Sequence, residues 1–342
     1  MNEKVKKIQR ESLIVDAHLD LLYDVDFKRR MGETKVIENR YLPEFKEGGV
    51  NLVVSSIYID DTFLPEMALR KAMNQVSVLY SEIDESPDKI MLCKSFKDIE
   101  KAIEEEKIGI MLSFEGVEPL YDDLSLLRVF YELGVRLVGL TWSRRNFAAD
   151  GCSFKKGREL TRGGLTDFGV RLVEEAENLG MIIDVSHLND EGFWDIMEIT
   201  KKPIIASHSN TRTLVNIPRN LTDDQIKAIA SKDGVIGMNV ASLLVADSDK
   251  NANIEHLLNH VDQIAKVVGV KHVGLGFDFC DRLFENSSPQ SLEKLPRKPF
   301  DVMKGHDELD IFIDGLINRG YGEDEIKMII GENFLRLYRQ IL

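Results

Sequence analysis

Seven histidines punctuate this chain, and three of them, His18, His187 and His208, close apolar runs that read LIVDAH, MIIDVSH and PIIASH. A histidine at the end of a buried run needs a partner for each ring nitrogen, or a metal ion. Carboxylates fall in comparable places. Asp20 stands two residues after His18, Glu115 ends IGIMLSFE, and Asp278 ends HVGLGFD. Positions i and i+2 of an extended segment point the same way, so His18 and Asp20 could hold one cation with two common zinc-ligand types. Glu115 could bridge that cation to a second one held by His187 and His208. Asp278, beside a bound water, could take its proton and pass it to a leaving amine. Each residue has a plainer reading. His18 would end a strand, Asp20 would cap a helix, and Glu115 and Asp278 would cap loops. Asp16 and Asp184 would either orient the histidines or be structural. The metal reading rests on the set, because histidines at several strand ends are useful only if those ends converge.

The elements needed to bring them together are legible as apolar runs. Strands are expected at Leu13–His18, Val50–Ile59, Ile108–Glu115, Val135–Trp142, Met181–His187, Pro203–Ser209, Val235–Val240 and His272–Phe279. They are rich in Val, Ile and Leu and alternate little, as parallel strands buried on both faces do. Helical stretches lie between them: Asp122–Leu133 before Gly134, Thr166–Leu179 before Gly180, Asn189–Ile199 and Thr222–Ser231. Asp, Thr and Asn at their starts and Gly past the ends of the first two are helix-boundary residues. Eight strands alternating with helices predict a single α/β domain over 1–342, a TIM-type (β/α)8 barrel of the metal-dependent hydrolase kind, with an open doubly wound sheet as the alternative. Long loops are expected at 143–164, with Arg144, Arg145, Lys155, Lys156, Arg158 and Arg162, and at 280–307, with three of the nine prolines. Both would emerge at the face where barrel active sites sit. Residues 324–342 should form a terminal helix burying Ile326, Ile330, Phe334, Leu337 and Ile341.

Composition narrows the function. A net charge of −14 disfavours nucleic acid and anionic membranes as partners. Cys93, Cys152 and Cys280 are too scattered for a disulfide framework. The charged start MNEKVKKIQRESLIVDAH has no signal-peptide core, no run suits a membrane helix, and the end has no anchor signal, so a cytoplasmic protein is expected.

Across nearly its whole length the chain resembles the membrane (renal) dipeptidase family of metallopeptidases, as a bacterial-type member. The resemblance rests on IVDAHLDLLYD from Ile14, SFEG from Ser113, GVRLVGLTW from Gly134, GGLTDFG from Gly163 and LGMIIDVSH from Leu179. It continues through ASHSNTR from Ala206, IPRNLTDDQI from Ile217, HVGLGFDF from His272 and GENFLRLY from Gly331. It implies two Zn2+ per chain, one on His18, Asp20 and Glu115 and the other on Glu115, His187 and His208. A hydroxide bridging them would attack a small dipeptide, with tolerance for a D-residue at the C-terminal position. It further implies Asp278 as proton shuttle and Arg219 as anchor for the substrate carboxylate, a role that suits a guanidinium. A homodimer is expected by analogy with such barrels.

One position departs from the pattern. Animal members carry a histidine after the strand-four Thr, where it contacts substrate near the developing oxyanion. Here Trp142 follows Thr141. Indole donates one hydrogen bond and does not ionise, so the contact is lost, supplied differently, or replaced by stacking. The substrate preference of the animal enzymes, β-lactam hydrolysis included, is not carried over. Two rival readings remain. One is another barrel amidohydrolase, such as a lactonase, deaminase or N-acyl-amino-acid deacylase. Those enzymes favour H-x-H on strand one and a lysine on strand four, where this chain has H-x-D and Thr141-Trp142. The other is a non-enzymatic binding protein, disfavoured by the complete ligand set.

Overall fold

A computed structural model describes residues 3–154, 163–286 and 295–342, with the side chains of 284–286 not described. Lys155, Lys156, Arg158, Arg162 and Pro289, part of the two expected long loops, lie outside the described residues.

Among the described residues nine parallel strands share one sheet: β1 Ile14–Leu19, β2 Val50–Tyr58, β3 Ile90–Leu92, β4 Ile108–Glu115, β5 Val135–Gly139, β6 Ile182–Asp184, β7 Ile205–Ala206, β8 Val235–Met238 and β9 Val273–Leu275. The order β2-β1-β9-β8-β7-β6-β5-β4 closes on itself because β2 also pairs with β4 from Leu52↔Gly109 to Tyr58↔Glu115. The result is the expected closed eight-stranded barrel with helices around it. The ninth strand, β3, was not expected. It pairs with the first residues of β4, Ile108–Ile110, on the edge that β5 takes up from Leu112 onward. Three residues give too little pattern to read as a strand.

Side-chain alternation builds two cores. Leu52 and Val54 of β2, Met111 of β4, Leu137 of β5 and Ile182 of β6 form an inner cluster with Phe334, Leu337 and Tyr338 of the C-terminal helix. Their neighbours Val53, Ile110, Leu112, Val138 and Ile183 pack against the outer helices. The inward parity carries Ser56 and Tyr58 on β2, and Ser113 and Glu115 on β4, toward the barrel mouth.

Helix boundaries follow the capping chemistry. Thr166 Oγ1 accepts from Gly169 N at 3.0 Å, and Asn189 Oδ1 accepts from Gly192 N at 2.9 Å. Thr222 and Gln225 form a reciprocal capping box. Gly134 and Gly180 end their helices in the left-handed conformation. The expected terminal helix is two α-helices, Glu323–Lys327 and Asn333–Ile341, joined by a π-helical turn at Met328–Glu332. There Gly331 packs so closely on the Leu13 carbonyl that a Cβ would stand 1.7 Å from its oxygen. Among the described residues no helix is long and apolar enough to cross a membrane, and all three cysteines are buried and unbridged.

Candidate metal centre

The ends of β1, β4, β6, β7 and β9 bring His18, Asp20, Glu115, His187, His208 and Asp278 to one rim. β6 and β7 stop short of their histidines. His187 follows Asp184 by three residues and has φ 69°, while Asp278, past the end of β9, has φ 55°. Left-handed backbone is costly for non-glycine residues and concentrates at functional sites, where surrounding structure must enforce it. At the next strand the space is made by glycine. A Cβ on Gly276 or Gly237 would stand 1.7 or 1.9 Å from the Ser207 carbonyl oxygen, so β8 and β9 close onto the segment that carries His208.

Two donor sets share Glu115. The ligand atoms of His18, Asp20 and Glu115 lie within 4.8 Å of one another, and so do those of Glu115, His187 and His208. Glu115 Oε2 is 3.6 Å from His18 Nε2, and Oε1 is 3.0 Å from His187 Nε2 and 3.8 Å from His208 Nε2. The rings of His18 and His208 are 3.7 Å apart, centroid to centroid. His18 Nε2 and Glu115 Oε2 are buried without a hydrogen-bond partner. Buried polar atoms left unpaired are rare, and at convergent N and O donors they are what a divalent cation would satisfy. Cation-competent groupings also occur for His18, Asp184 and His208, and for Cys280, Asp281 and Asp301.

The other ring nitrogens are held from outside. Ser143 Oγ is 2.9 Å from His187 Nδ1, and Ser207 Oγ is 2.6 Å from His208 Nδ1. Ser207 Oγ also donates to Asp184, whose carboxylate accepts from Ser207 N at 2.9 Å and Ser186 N at 3.0 Å. Asp16 accepts from His18 N at 3.2 Å and Phe277 N at 3.0 Å, and pairs with His306 Nε2 at 2.7 Å. Such partners fix the ring orientation of a ligating histidine. Asp184 therefore supports the His208 ring through Ser207, and Asp16 holds the His18 backbone directly. Ser143, Ser207, Asn239 and His306 were missed from sequence. The Ser-His pairing in ASHS was the one local hint.

Burial dominates the electrostatics. It pushes Asp20 up to about 8, helped by Glu115, and Glu115 up to about 8, helped by Asp278. Burial also raises Asp278 to about 7, opposed by His18 and reinforced by Asp20. His187 and His208 are held well below the ordinary histidine range by burial, then by the charges of Arg219 and His18 respectively. A cluster of groups this far from their ordinary protonation, in a cleft, marks a chemical site.

Above the cluster opens a cavity with about 610 Å³ of free space, lined in part by Asp20, Glu115, His187, Asp278, Arg219 and Trp142. Arg219 is 2% exposed. It donates to Ser209 Oγ at 2.8 Å and the His208 carbonyl at 2.7 Å, and its Nε has no partner. Asp278 is oriented by Asn239, whose Nδ2 donates to Oδ2 at 2.8 Å. Trp142 stands 6.0 Å from the His187 ring.

The chain is similar to known proteins over nearly its whole length. The family model for membrane dipeptidase (peptidase family M19) matches residues 2–342. A Klebsiella pneumoniae protein in the pqqA 5′ region is 31% identical over 271 residues, covering 78% of this chain and 94% of that protein. Mouse dipeptidase 3 is 29% identical over 356 residues, 100% of this chain and 67% of its own length. Among solved structures, the M19 metallopeptidase dipeptidase AC superposes with a TM-score of 0.83 at 25% identity, over 96% of this chain and 98% of its own. A Rhodobacter sphaeroides metallopeptidase, liganded with a phosphinate mimic of the dipeptide L-Ala-D-Ala, gives 0.82 at 24% identity over 97% and 100%. The chain belongs to the membrane dipeptidase family, peptidase family M19, whose members are metal-dependent hydrolases.

Proposed function

We propose that this protein hydrolyses small dipeptides with two zinc ions, one on His18, Asp20 and Glu115 and the other on Glu115, His187 and His208. The observation that carries the reading is the pair of donor sets sharing Glu115, with His18 Nε2 and Glu115 Oε2 buried and unpartnered. Nitrogen and carboxylate donors with no thiolate suit zinc. When bound, such cations polarise a carbonyl and acidify water.

The chain's own residues do the rest. Arg219 receives the substrate carboxylate through its unpartnered Nε edge, which selects a free C-terminus close to the scissile bond. Asp278 faces the same cavity, with Oδ2 held by Asn239 and Oδ1 3.9 Å from His18 Nε2. It takes a proton from the attacking water and delivers it to the leaving amine. Without cations, burial raises its carboxyl to about 7. Trp142 forms part of the wall beside His187. The dipeptide mimic bound by the Rhodobacter sphaeroides relative supports this substrate class and a D-residue at the C-terminal position.

The test is turnover of L,L and L,D dipeptides, lactones and N-acyl amino acids by protein stripped with chelator and reloaded with Zn2+. Dipeptide hydrolysis that disappears on stripping and returns on reloading is expected. Deacylation or lactone opening without dipeptide hydrolysis would replace the reading with that of another barrel amidohydrolase.

A further inference from the structure

The cavity walls are chemically unlike one another. Around the barrel the strands run β9-β8-β7-β6-β5-β4-β2-β1. The loops after β8 and β9 supply Ala241, Leu243, Leu244, Leu283, Leu295 and Pro299. The end of β2 and the loop after β5 supply Tyr58, Trp142 and Phe154. One wall is aliphatic, and another is aromatic.

Each wall is tied to a different end of the site. The turn that carries Arg219 is fastened to the aliphatic wall, because the adjacent Asn220 donates through Nδ2 to the Leu244 carbonyl at 3.0 Å. Val215 and Ile217 of the same turn cluster with Ala241, Leu244 and Cys280. The aromatic wall adjoins the ion-binding donors. Tyr58 pairs in register with Glu115, and the Trp142 and Phe154 rings stand 6.0 and 6.1 Å from His187. Trp142 is 5.5 Å from Tyr58 and 5.9 Å from Phe154. Arg144 lies over both Trp142, at 5.2 Å, and Tyr58, at 5.7 Å. It is itself locked by Glu118 at 2.6 Å and the Ile59 carbonyl at 2.8 Å. The rings are thus held in place before any substrate arrives.

We infer, resting on the dipeptidase reading, that the two walls sort the two side chains of the substrate. The N-terminal residue lays a bulky apolar side chain on Tyr58, Trp142 and Phe154, and the C-terminal residue lays an aliphatic one on Leu243, Leu244 and Leu295. A dipeptide with its carboxylate on Arg219 and its scissile carbonyl at the shared Glu115 spans the cavity from one wall to the other. The preferred substrates are apolar–apolar dipeptides. The charged residues lining the cavity, Asp20, Glu115, Asp278 and Arg219, are taken up by cations, proton transfer and the substrate carboxylate. A charged side chain would meet an apolar wall without a counter-ion, at a heavy desolvation cost. Trp142, where animal relatives have histidine, is then a specificity residue that works by stacking.

The test compares kcat/KM for Phe-Leu, Ala-Ala, Phe-Ala, Asp-Ala, Ala-Leu and Ala-Asp on the zinc-loaded full chain. Phe-Ala should exceed Asp-Ala, and Ala-Leu should exceed Ala-Asp, each by roughly 10- to 200-fold, the range a hydrophobic pocket can discriminate. Trp142→Ala should collapse the Phe-Ala over Ala-Ala ratio about tenfold and leave the Ala-Leu over Ala-Asp ratio standing. Leu243→Lys should do the reverse and raise Ala-Asp relative to Ala-Leu. An independent readout comes from Trp194→Phe, which leaves Trp142 as the one tryptophan of the two. Its emission should shift with a phosphinate analogue of Phe-Ala more than with that of Asp-Ala. Dipeptide turnover with equal rates for charged and apolar side chains, or ratios unmoved by both wall variants, would overturn the sorting and leave the dipeptidase reading intact. No turnover of any dipeptide, with no emission change, would overturn both.

Discussion

His187 Nε2 and His208 Nε2 face each other at 2.9 Å inside the barrel mouth, with Glu115 Oε1 3.0 Å from the first and 3.8 Å from the second. Burial keeps both imidazoles neutral, and the outer nitrogen of each is occupied by a serine hydroxyl. Lone pairs aimed at one point are better satisfied by a cation than by one shared proton. Removing metal should therefore lower thermal stability as well as activity. At free zinc about 100 times Kd the stabilisation is about 2.7 kcal/mol, enough to move Tm by several degrees in a calorimetric scan with and without chelator. A Tm indifferent to chelator and to added Zn2+ would rule out a structural contribution from metal.

Metal loading should release protons. Asp20 and Glu115 are both raised to about 8, so at pH 7 each is mainly protonated and must ionise to ligate. Affinity should weaken as pH falls below about 8. Titration calorimetry in buffers of different ionisation enthalpy should find between one and two protons released at pH 7, and fewer at pH 9. The same shifts act on stability of the stripped protein. A carboxyl whose folded pKa is raised binds its proton more tightly when folded, so its contribution is present at low pH and is lost as pH rises from about 4 through about 8. Stripped protein should lose Tm progressively from about pH 4 to about pH 8 and level off above that, and Asp20→Asn should reduce that slope.

Ser207 links Asp184 to His208. Ser207→Ala should leave the fold intact and weaken zinc binding by about 10- to 100-fold, as loss of such an orienting partner does. Competition with a chromophoric chelator measures it. Unchanged affinity would mean that His208 is oriented by packing alone.

How much of this was readable before the structure depends on the kind of pattern involved. The strand runs and the residues ending them were visible because apolar runs and cap residues repeat locally. Strand ends were read too far, since β6, β7 and β9 leave the ladder at Asp184, Ala206 and Leu275, while the apolar run continues into the turn that aims each functional side chain. The positive φ of His187 and Asp278 has no signature in residue type. The supporting polar groups were invisible for a different reason. His306 meets Asp16 across 290 positions, and Asn239 meets Asp278 across 39. Contacts made only by barrel closure leave no spacing rule. Arg219 looked like a surface residue apart from its family motif, yet it is buried.

Asp278→Asn keeps the side-chain volume and removes the exchangeable proton. Asn239 Nδ2 donates to Oδ2, so the amide can still be held by presenting its oxygen there. A loss of about 10²- to 10⁴-fold in kcat, with KM and zinc content little changed, is expected for removal of a general acid–base group. Turnover within twofold of the parent would take Asp278 out of the reaction.

Arg219→Lys tests carboxylate recognition without removing the positive charge. Arg219 uses one nitrogen on Ser209 Oγ and another on the His208 carbonyl, leaving Nε unpartnered. An ammonium is a point donor and cannot hold that fork while also receiving a carboxylate. KM for a dipeptide should rise by at least about tenfold, because a buried charge-assisted hydrogen bond is worth roughly 1.5–3 kcal/mol. The parent protein should also discriminate strongly between Phe-Leu and its C-terminal amide, since only the free acid engages the guanidinium. In Arg219→Lys that discrimination should shrink toward unity. A parent that cleaves the acid and the amide equally well would show that the carboxylate is recognised elsewhere, and that the guanidinium serves only to brace the His208 backbone.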